Sequence, residues 1–421
     1  MQKLVSKVTD NTNFYMNHSP IELIEKYGSP LYVYNEKILR EKMRDMKNLV
    51  SYENFAVNYS AKANSSLAIL EIANEEDLNI DAMSPGEIYA ELKAGFSPEK
   101  IFYISNNVSK EEMQFAIDNN VLLSVDSISQ LDQFGQINPG GKVAARFNGG
   151  IGAGHHEKVI TAGKNTKFGI DPDEIELFNQ TLNKYNLKLV GINQHIGSLF
   201  MEPDKYIDGV YSVLSIAKQF KDLEFIDLGG GFGIPYNKLD EDYKCLDLKA
   251  LGKKLDEIFE DFTKEYGKKL KFKIEPGRYI SAECGVLLGT VHAIKNNCGN
   301  KYAGTDIGFN VLARPVMYDS HHDIEVYRKS NEKSEKTEPI TVVGNICETG
   351  DIIAKNRILP TLKEGDILGI LDAGAYGNVM SSNYNNRLRP AEVLIRENGE
   401  VVLIRKRDTL DDIIKNFVSL K

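Results

Sequence analysis

The sequence predicts a TIM-type (β/α)8 barrel followed by an all-β domain, an α/β plus β architecture, on three observations. Strand-like and helix-like segments alternate regularly from residue 55 to about residue 283. Polar or glycine residues (Lys62, Asp81, Asn106, Asp126, Arg146, His195, Gly229-Gly230-Gly231 and Glu275) fall at or just past the C-terminal ends of those strands. Beyond residue 283, strand-like runs follow one another with few helices between them. An open doubly wound sheet fits the alternation as well, but only a barrel brings all eight strand ends to one mouth, where such folds keep their chemistry.

The elements run in order as follows. A strand-like run at 31–34 follows the turn Gly28-Ser29-Pro30 and has no obvious partner nearby; a charged, helix-like segment covers 36–50. The eight strands are expected at 55–62, 78–83, 101–105, 121–126, 142–147, 187–195, 224–230 and 271–275. Helix-like segments at 65–76, 86–94, 110–119, 128–134, 171–185, 203–220 and 247–266 separate most of them, with apolar residues recurring at three and four. The later strand-like runs are 285–294, 302–305, 324–328, 340–343, 367–371, 392–396 and 400–405, the last two joined by the hairpin signal Asn398-Gly399. Residues 330–336 read as an exposed, mobile loop and 408–421 as a short amphipathic helix. The expected domains are 36–283 for the barrel and 1–35 plus 284–421 for the β domain.

Composition narrows the function class. A chain of 421 residues exceeds one ordinary core, which fits a barrel plus a second domain. The net charge of -9 argues against nucleic acid as a partner. The longest apolar stretches, such as 286–288, are far too short to span a bilayer, and the N-terminus lacks an apolar signal region. Cys245, Cys284, Cys298 and Cys347 show no metal-ligand or disulfide spacing, which suits reduced thiols in the cytoplasm. The pairs His155-His156-Glu157 and His321-His322-Asp323 lack HExxH spacing, and neighbouring residues rarely point at one ion, so no metal is expected.

Several strand ends carry reactive chemistry, each with a plainer alternative. Lys62, flanked by Ala61 and Ala63, is either a solvated strand-end lysine or a desolvated amine able to attack a carbonyl. Gly229-Gly230-Gly231 is either a flexible turn or a backbone cradle for an anion such as phosphate. His195 in Asn193-Gln194-His195-Ile196-Gly197-Ser198 is either a structural histidine or one that stacks on a flat cofactor, with Ser198 bonding a phosphate oxygen. Glu275-Pro276-Gly277-Arg278 is either a structural ion pair or a carboxylate facing a ring nitrogen beside a guanidinium for an anion. In the β domain, Arg314 and Tyr318, the Cys347-Glu348 pair, and Tyr376 on the glycine-rich turn Gly374–Gly377 add donors and a thiol. Together these groups are what pyridoxal 5'-phosphate (PLP) requires.

The same residues carry a family resemblance. Tyr59–Asn64, His195–Ser198, Gly229–Gly231, Glu275–Arg278, Arg314-Pro315 with Tyr318, Cys347-Glu348, and Gly374–Gly377 through Ser382–Asn385 resemble, in order and across nearly the whole chain, the fold-type III PLP-dependent decarboxylases with alanine-racemase-like barrels. The resemblance implies that Lys62 carries PLP, His195 stacks on its ring and Glu275 faces its nitrogen. It places Asp81, Arg146, Ser198, Gly230, Gly231, Pro276, Gly277, Arg278 and Tyr376 around the cofactor. It assigns Arg278, Arg314, Tyr318, Glu348 and Tyr376 to an amino-acid substrate, and makes Cys347 the proton donor in a homodimer with shared active sites. The implied reaction, the last step of lysine biosynthesis, converts meso-2,6-diaminopimelate to L-lysine and CO2; ornithine, arginine and carboxynorspermidine are the alternative substrates. Glu348, where ornithine-acting relatives carry Asp, favours diaminopimelate. Arg146-Phe147-Asn148-Gly149, where relatives often read Asn-Pro after the arginine, departs from the pattern.

Overall fold

A computed structural model of the protein describes residues 7–150, 163, 166–238, 240, 242–328 and 336–420. The His155-His156-Glu157 cluster and residues 330–335 lie outside the described residues. Strand β1 (Leu31–Asn35) belongs to a separate sheet. The next eight strands close into a parallel barrel: β2 (Phe55–Ser60), β3 (Asn79–Ala82), β4 (Ile101–Ile104), β5 (Leu122–Val125), β6 (Lys142–Arg146), β7 (Lys188–Asn193), β8 (Phe225–Asp227) and β9 (Lys271–Ile274). Closure runs through Phe55↔Phe272, Ala56↔Lys273 and Val57↔Ile274. The eight expected barrel strands are all present, each shorter than its expected span by one to four residues.

Alternate residues of each strand face inward. Asn58 Nδ2 of β2 donates to Asp227 Oδ2 of β8 at 3.1 Å, and Ser124 Oγ of β5 donates to Asn193 Oδ1 of β7 at 2.6 Å. These strands are not neighbours, so both bonds cross the interior. An apolar cluster of Phe102, Ile104, Ala144, Val190 and Phe225 fills another part of it. Serine caps set the helices around the outside: Ser84, Ser109 and Ser127 accept from the backbone N–H three residues on, and Ser109 with Glu112 forms a reciprocal capping box. Gly267, at φ +77°, ends the long helix Leu248–Tyr266 in the left-handed region that glycine tolerates.

One residue of the helical layer works against stability. Glu91, on helix Pro85–Lys93, is fully buried, and neither carboxylate oxygen has a hydrogen-bond partner among the described residues. Burial, reinforced by the charges of Asp81 and Glu87, pushes its pKa up to about 10. Glu91 is therefore a neutral acid at pH 7, and folding there takes up a proton. Stability linked to it is fully present below the unfolded pKa near 4.5 and is lost as pH rises towards about 10. Glu91→Met should thus stabilise the chain by about 3 kcal/mol at pH 7 and by little near pH 4. Urea unfolding of both proteins across that range checks this; a difference independent of pH would contradict it.

The chain divides into two compact units, residues 40–234 with 244–280 and residues 1–39 with 235–243 and 281–421. The first holds the barrel. The second is built on a nine-stranded sheet that adds β10 (Gly285–Asn297), β11 (Asn300–Thr305), β12 (Ile324–Tyr327), β13 (Thr337–Val343), β14 (Ile352–Pro360), β15 (Ile367–Ile370), β16 (Ala391–Ile395) and β17 (Val401–Arg405) to β1. Its central path is β14-β13-β11-β10-β1-β16-β17, and β15 pairs with both β10 and β12. The run at 31–34, without a near neighbour in sequence, pairs antiparallel with β10 and parallel with β16. Leu31, Val33, Val286, Leu288, Val393 and Ile395 then form its buried apolar core. Strand β14 was not expected: exposed Lys355 and Asn356, the latter at φ +47°, interrupt its apolar pattern. The β domain expected from the sequence is present, and the short helices Val8–Asn11, Pro20–Tyr27, Arg314–Tyr318 and Leu410–Ile414 accompany its sheet in this unit.

Candidate active site

Lys62 sits in the turn Ala61–Ala63 that leaves β2, one residue pair beyond the strand where the sequence pattern had placed it on the strand itself. Ala61 and Ala63 are buried, and so small a flank admits the loop after β9: a Cβ on Gly277 would lie 2.9 Å from those of Ala63 and Ser60. The Ser60 N–H donates to the Pro276 carbonyl at 3.2 Å, which ties the two loops together. Asp81 lies beside them, its Oδ2 accepting from Ser60 Oγ at 2.8 Å. Burial raises the Asp81 pKa well above the usual carboxylate range, and the Lys62 charge opposes that rise.

The loops after β7, β8 and β9 interlock. The Gly230 N–H donates to His195 Nδ1 at 3.1 Å, so Nδ1 is an acceptor and carries no proton. Burial, then the charges of Lys62 and Arg146, hold His195 well below its ordinary pKa. Its 3.5 Å approach to Glu275 Oε2 is therefore not a charged pair. A Cβ on Gly230 would lie 1.9 Å from the Glu275 carbonyl oxygen, and one on Gly229 would lie 2.3 Å from that of Gln194. Gly231, at φ +108°, would meet the Gly197 carbonyl at 2.4 Å. Three loops pass too closely here for any side chain, which is why the turn is all glycine.

Glu275 is the informative acid. It is 3 % exposed, and its Oε1 is buried with no hydrogen-bond partner among the described residues. Burial raises its pKa against the opposing charges of Lys62, Arg146 and Lys273. Arg146 at the end of β6 lies over the Phe168 ring at 4.6 Å, and burial lowers its pKa while Glu275 and Asp126 oppose. Arg278 donates from Nε and Nη2 to Ser198 Oγ at 3.2 and 2.9 Å. A hydroxyl and a guanidinium side by side are donors of the kind that could hold an anion. A proton-hungry buried carboxylate, a neutral flat imidazole, a strand-end amine and an anion site fit a phosphorylated, nitrogen-containing aromatic aldehyde.

The profile of the pyridoxal-dependent decarboxylases, pyridoxal binding domain, matches residues 36–282. A diaminopimelate decarboxylase of Methanothermobacter thermautotrophicus is 44% identical over 405 residues, covering 94% of this chain and 93% of the relative. This chain belongs to the diaminopimelate decarboxylase family of pyridoxal-dependent decarboxylases. It is a carboxy-lyase, and its cofactor is PLP. Solved diaminopimelate decarboxylases have the same fold. The Helicobacter pylori protein, complexed with L-lysine, superposes with a TM-score of 0.85 at 31% identity, covering 94% of this chain and 98% of that one. The M. jannaschii diaminopimelate decarboxylase, in co-complex with L-lysine, gives a TM-score of 0.82 at 33% identity, covering 95% of this chain and 94% of that one.

The second unit of this decarboxylase carries the remaining expected residues. Arg314 begins the helix Arg314–Tyr318 and is buried; Tyr318 is half-buried. Cys347 and Glu348 are exposed on the loop after β13. The Cys347 N–H donates to Asn385 Oδ1 at 2.8 Å, and Tyr384 Oη donates to Glu348 Oε1 at 2.7 Å. The Tyr384 ring stacks on Phe309 with centroids 5.7 Å apart. The polar run Ser382–Asn385 thus pins the cysteine loop. Tyr376 holds φ +55° between Gly374 and Gly377. Sequence reasoning missed Asn58, Ser60 and Asp227, the polar residues beneath the barrel mouth; their inward period-2 placement was the available signal.

Among the described residues, no group of three or more His, Cys, Asp or Glu is arranged to hold a metal, and no helix is long and apolar enough to cross a membrane. His322 directs both ring nitrogens to protein partners.

Proposed function

We propose that the chain decarboxylates meso-2,6-diaminopimelate at its D-configured centre and releases L-lysine, acting in the cytoplasm as a homodimer whose subunits share active sites. The carrying observation is the grouping at one barrel mouth of Asp81, His195 and Glu275, all three within the field of the Lys62 charge. Lys62 would hold the cofactor through its amine. When bound, PLP supplies an electron sink for the pair left on the α-carbon as CO2 departs. Glu275, whose Oε1 is buried without a partner among the described residues, would keep a ring nitrogen protonated. His195, neutral, would pack against the ring without adding charge. Ser198, Gly230, Gly231, Arg278 and Tyr376 hold the phosphate, while Asp81 and Arg146 shape the field beside them.

The substrate has two charged ends. Arg278, Arg314 and Tyr318 bind carboxylate, and Glu348 pairs with the distal amine. The Cys347 thiol returns a proton to the α-carbon, and solvent restores the thiol. With the product's L-centre untouched, turnover in D2O should give L-lysine with one deuteron at the ε-carbon. D-lysine as product would refute the assignment of the reacting centre.

A further inference from the structure

The histidine pair before β12 lacks the spacing of a metal motif, yet His322 is buried and meets a protein partner at each ring nitrogen. It is 2 % exposed. Its Nδ1 lies 2.7 Å from the Leu371 carbonyl oxygen, and its Nε2 lies 2.6 Å from Arg314 Nη1. A carbonyl only accepts and a guanidinium only donates. One form satisfies both contacts: neutral imidazole with its hydrogen on Nδ1 and its lone pair on Nε2. The Leu371 anchor is itself braced, its N–H donating to the Asp323 carbonyl at 2.9 Å, while Asp323 Oδ2 accepts from the Lys238 N–H at 2.7 Å.

Arg314 has two more supports. Its Nη2 reaches Ser320 Oγ at 3.4 Å, and its guanidinium carbon lies 4.3 Å from the Tyr236 ring centroid. The Tyr236 ring also meets His322 edge-on, with centroids 5.2 Å apart at 76°. Imidazole, hydroxyl and phenol ring, each neutral, are among the groups that hold the guanidinium plane. An aspartate or glutamate at position 322 would orient the arginine too, but would also cancel the charge a ligand carboxylate needs. Neutral imidazole orients without cancelling.

We propose that His322 is a positioning residue that holds Arg314 for the carboxylate at the unreacted end of the substrate, and so selects ligands that carry it. This rests on the reading of Arg314 given above. The test uses holoenzyme and two ligands: L-lysine, which retains that carboxylate, and cadaverine, which lacks it. Calorimetry should show His322→Ala weakening L-lysine binding by about 10- to 100-fold, the worth of one hydrogen bond to a charged group. Cadaverine binding should change less than about twofold, KM for diaminopimelate should rise with kcat nearly unchanged, and His322→Gln, which keeps an acceptor, should recover most of the loss. Equal loss of both ligands in both His322 variants, or no loss of either, overturns the proposal. Arg314→Met separates the two levels. If it spares L-lysine, the reading of Arg314 fails and this proposal with it. If it discriminates while His322→Ala does not, only the positioning role fails.

Discussion

Lys62→Ala abolishes both turnover and the yellow colour of the bound cofactor, with activity falling by at least about 10⁴-fold, the upper end of what one positioned group contributes. The chain holds a rival: Lys273 is half-buried in the barrel, and its desolvation lowers its pKa, the property expected of a reactive amine. Geometry decides between them. Lys273 lies within β9, its Nζ 4.1 Å from the Phe225 ring centroid and 5.1 Å from that of Phe102, in the apolar part of the barrel. Its amine is occupied as a cation on aromatic faces. Lys62 instead stands on the turn after β2, beside the Pro276-Gly277 loop and within the field of Asp81, His195 and Glu275. Borohydride reduction followed by peptide mass analysis should place the cofactor on Lys62 in the parent and nowhere in the variant. A reduced adduct on Lys273 would reverse the assignment.

Glu275→Gln slows turnover by about 100-fold while the cofactor stays bound. The carboxylate is buried with Oε1 unpartnered among the described residues, and in the proposed reaction it would keep a ring nitrogen protonated. Glutamine matches the shape but carries no negative charge to retain that proton. A lost hydrogen bond to a charged group is worth about 1.5–3 kcal/mol, hence roughly 10- to 100-fold in rate, and burial sets the upper end. Lys62 and the Ser198–Arg278 anion site are untouched, so the colour of the enzyme should persist. Steady-state kinetics with absorbance spectra check this, and unchanged kcat would remove Glu275 from the chemistry.

The barrel was legible in the sequence because short-range periodicity encodes it: each strand pairs with the next strand in the chain. The second sheet was less so. Residues 31–34 announced a strand, but their partners at 285–288 and 391–394 are fixed by burial across the whole chain, which no local pattern reports. Strand β14 was hidden by the solvent-facing Lys355 and Asn356. At the site, Lys62, His195, Glu275 and the glycine turn were visible because strand ends and glycines leave sequence signals. The links between them were not: the Gly230-to-His195 bond, the pinning of Cys347 by Asn385, and the hold of His322 on Arg314 join residues far apart in sequence or in loops without periodicity. The pair His321-His322 gave no functional signal in the sequence, and its ring nitrogens meet Arg314 and Asp323 in the fold.

CO2 release from a panel of meso-2,6-diaminopimelate, ornithine, arginine and carboxynorspermidine decides the substrate. Diaminopimelate alone should release CO2 rapidly. Release from ornithine without release from diaminopimelate would contradict that assignment.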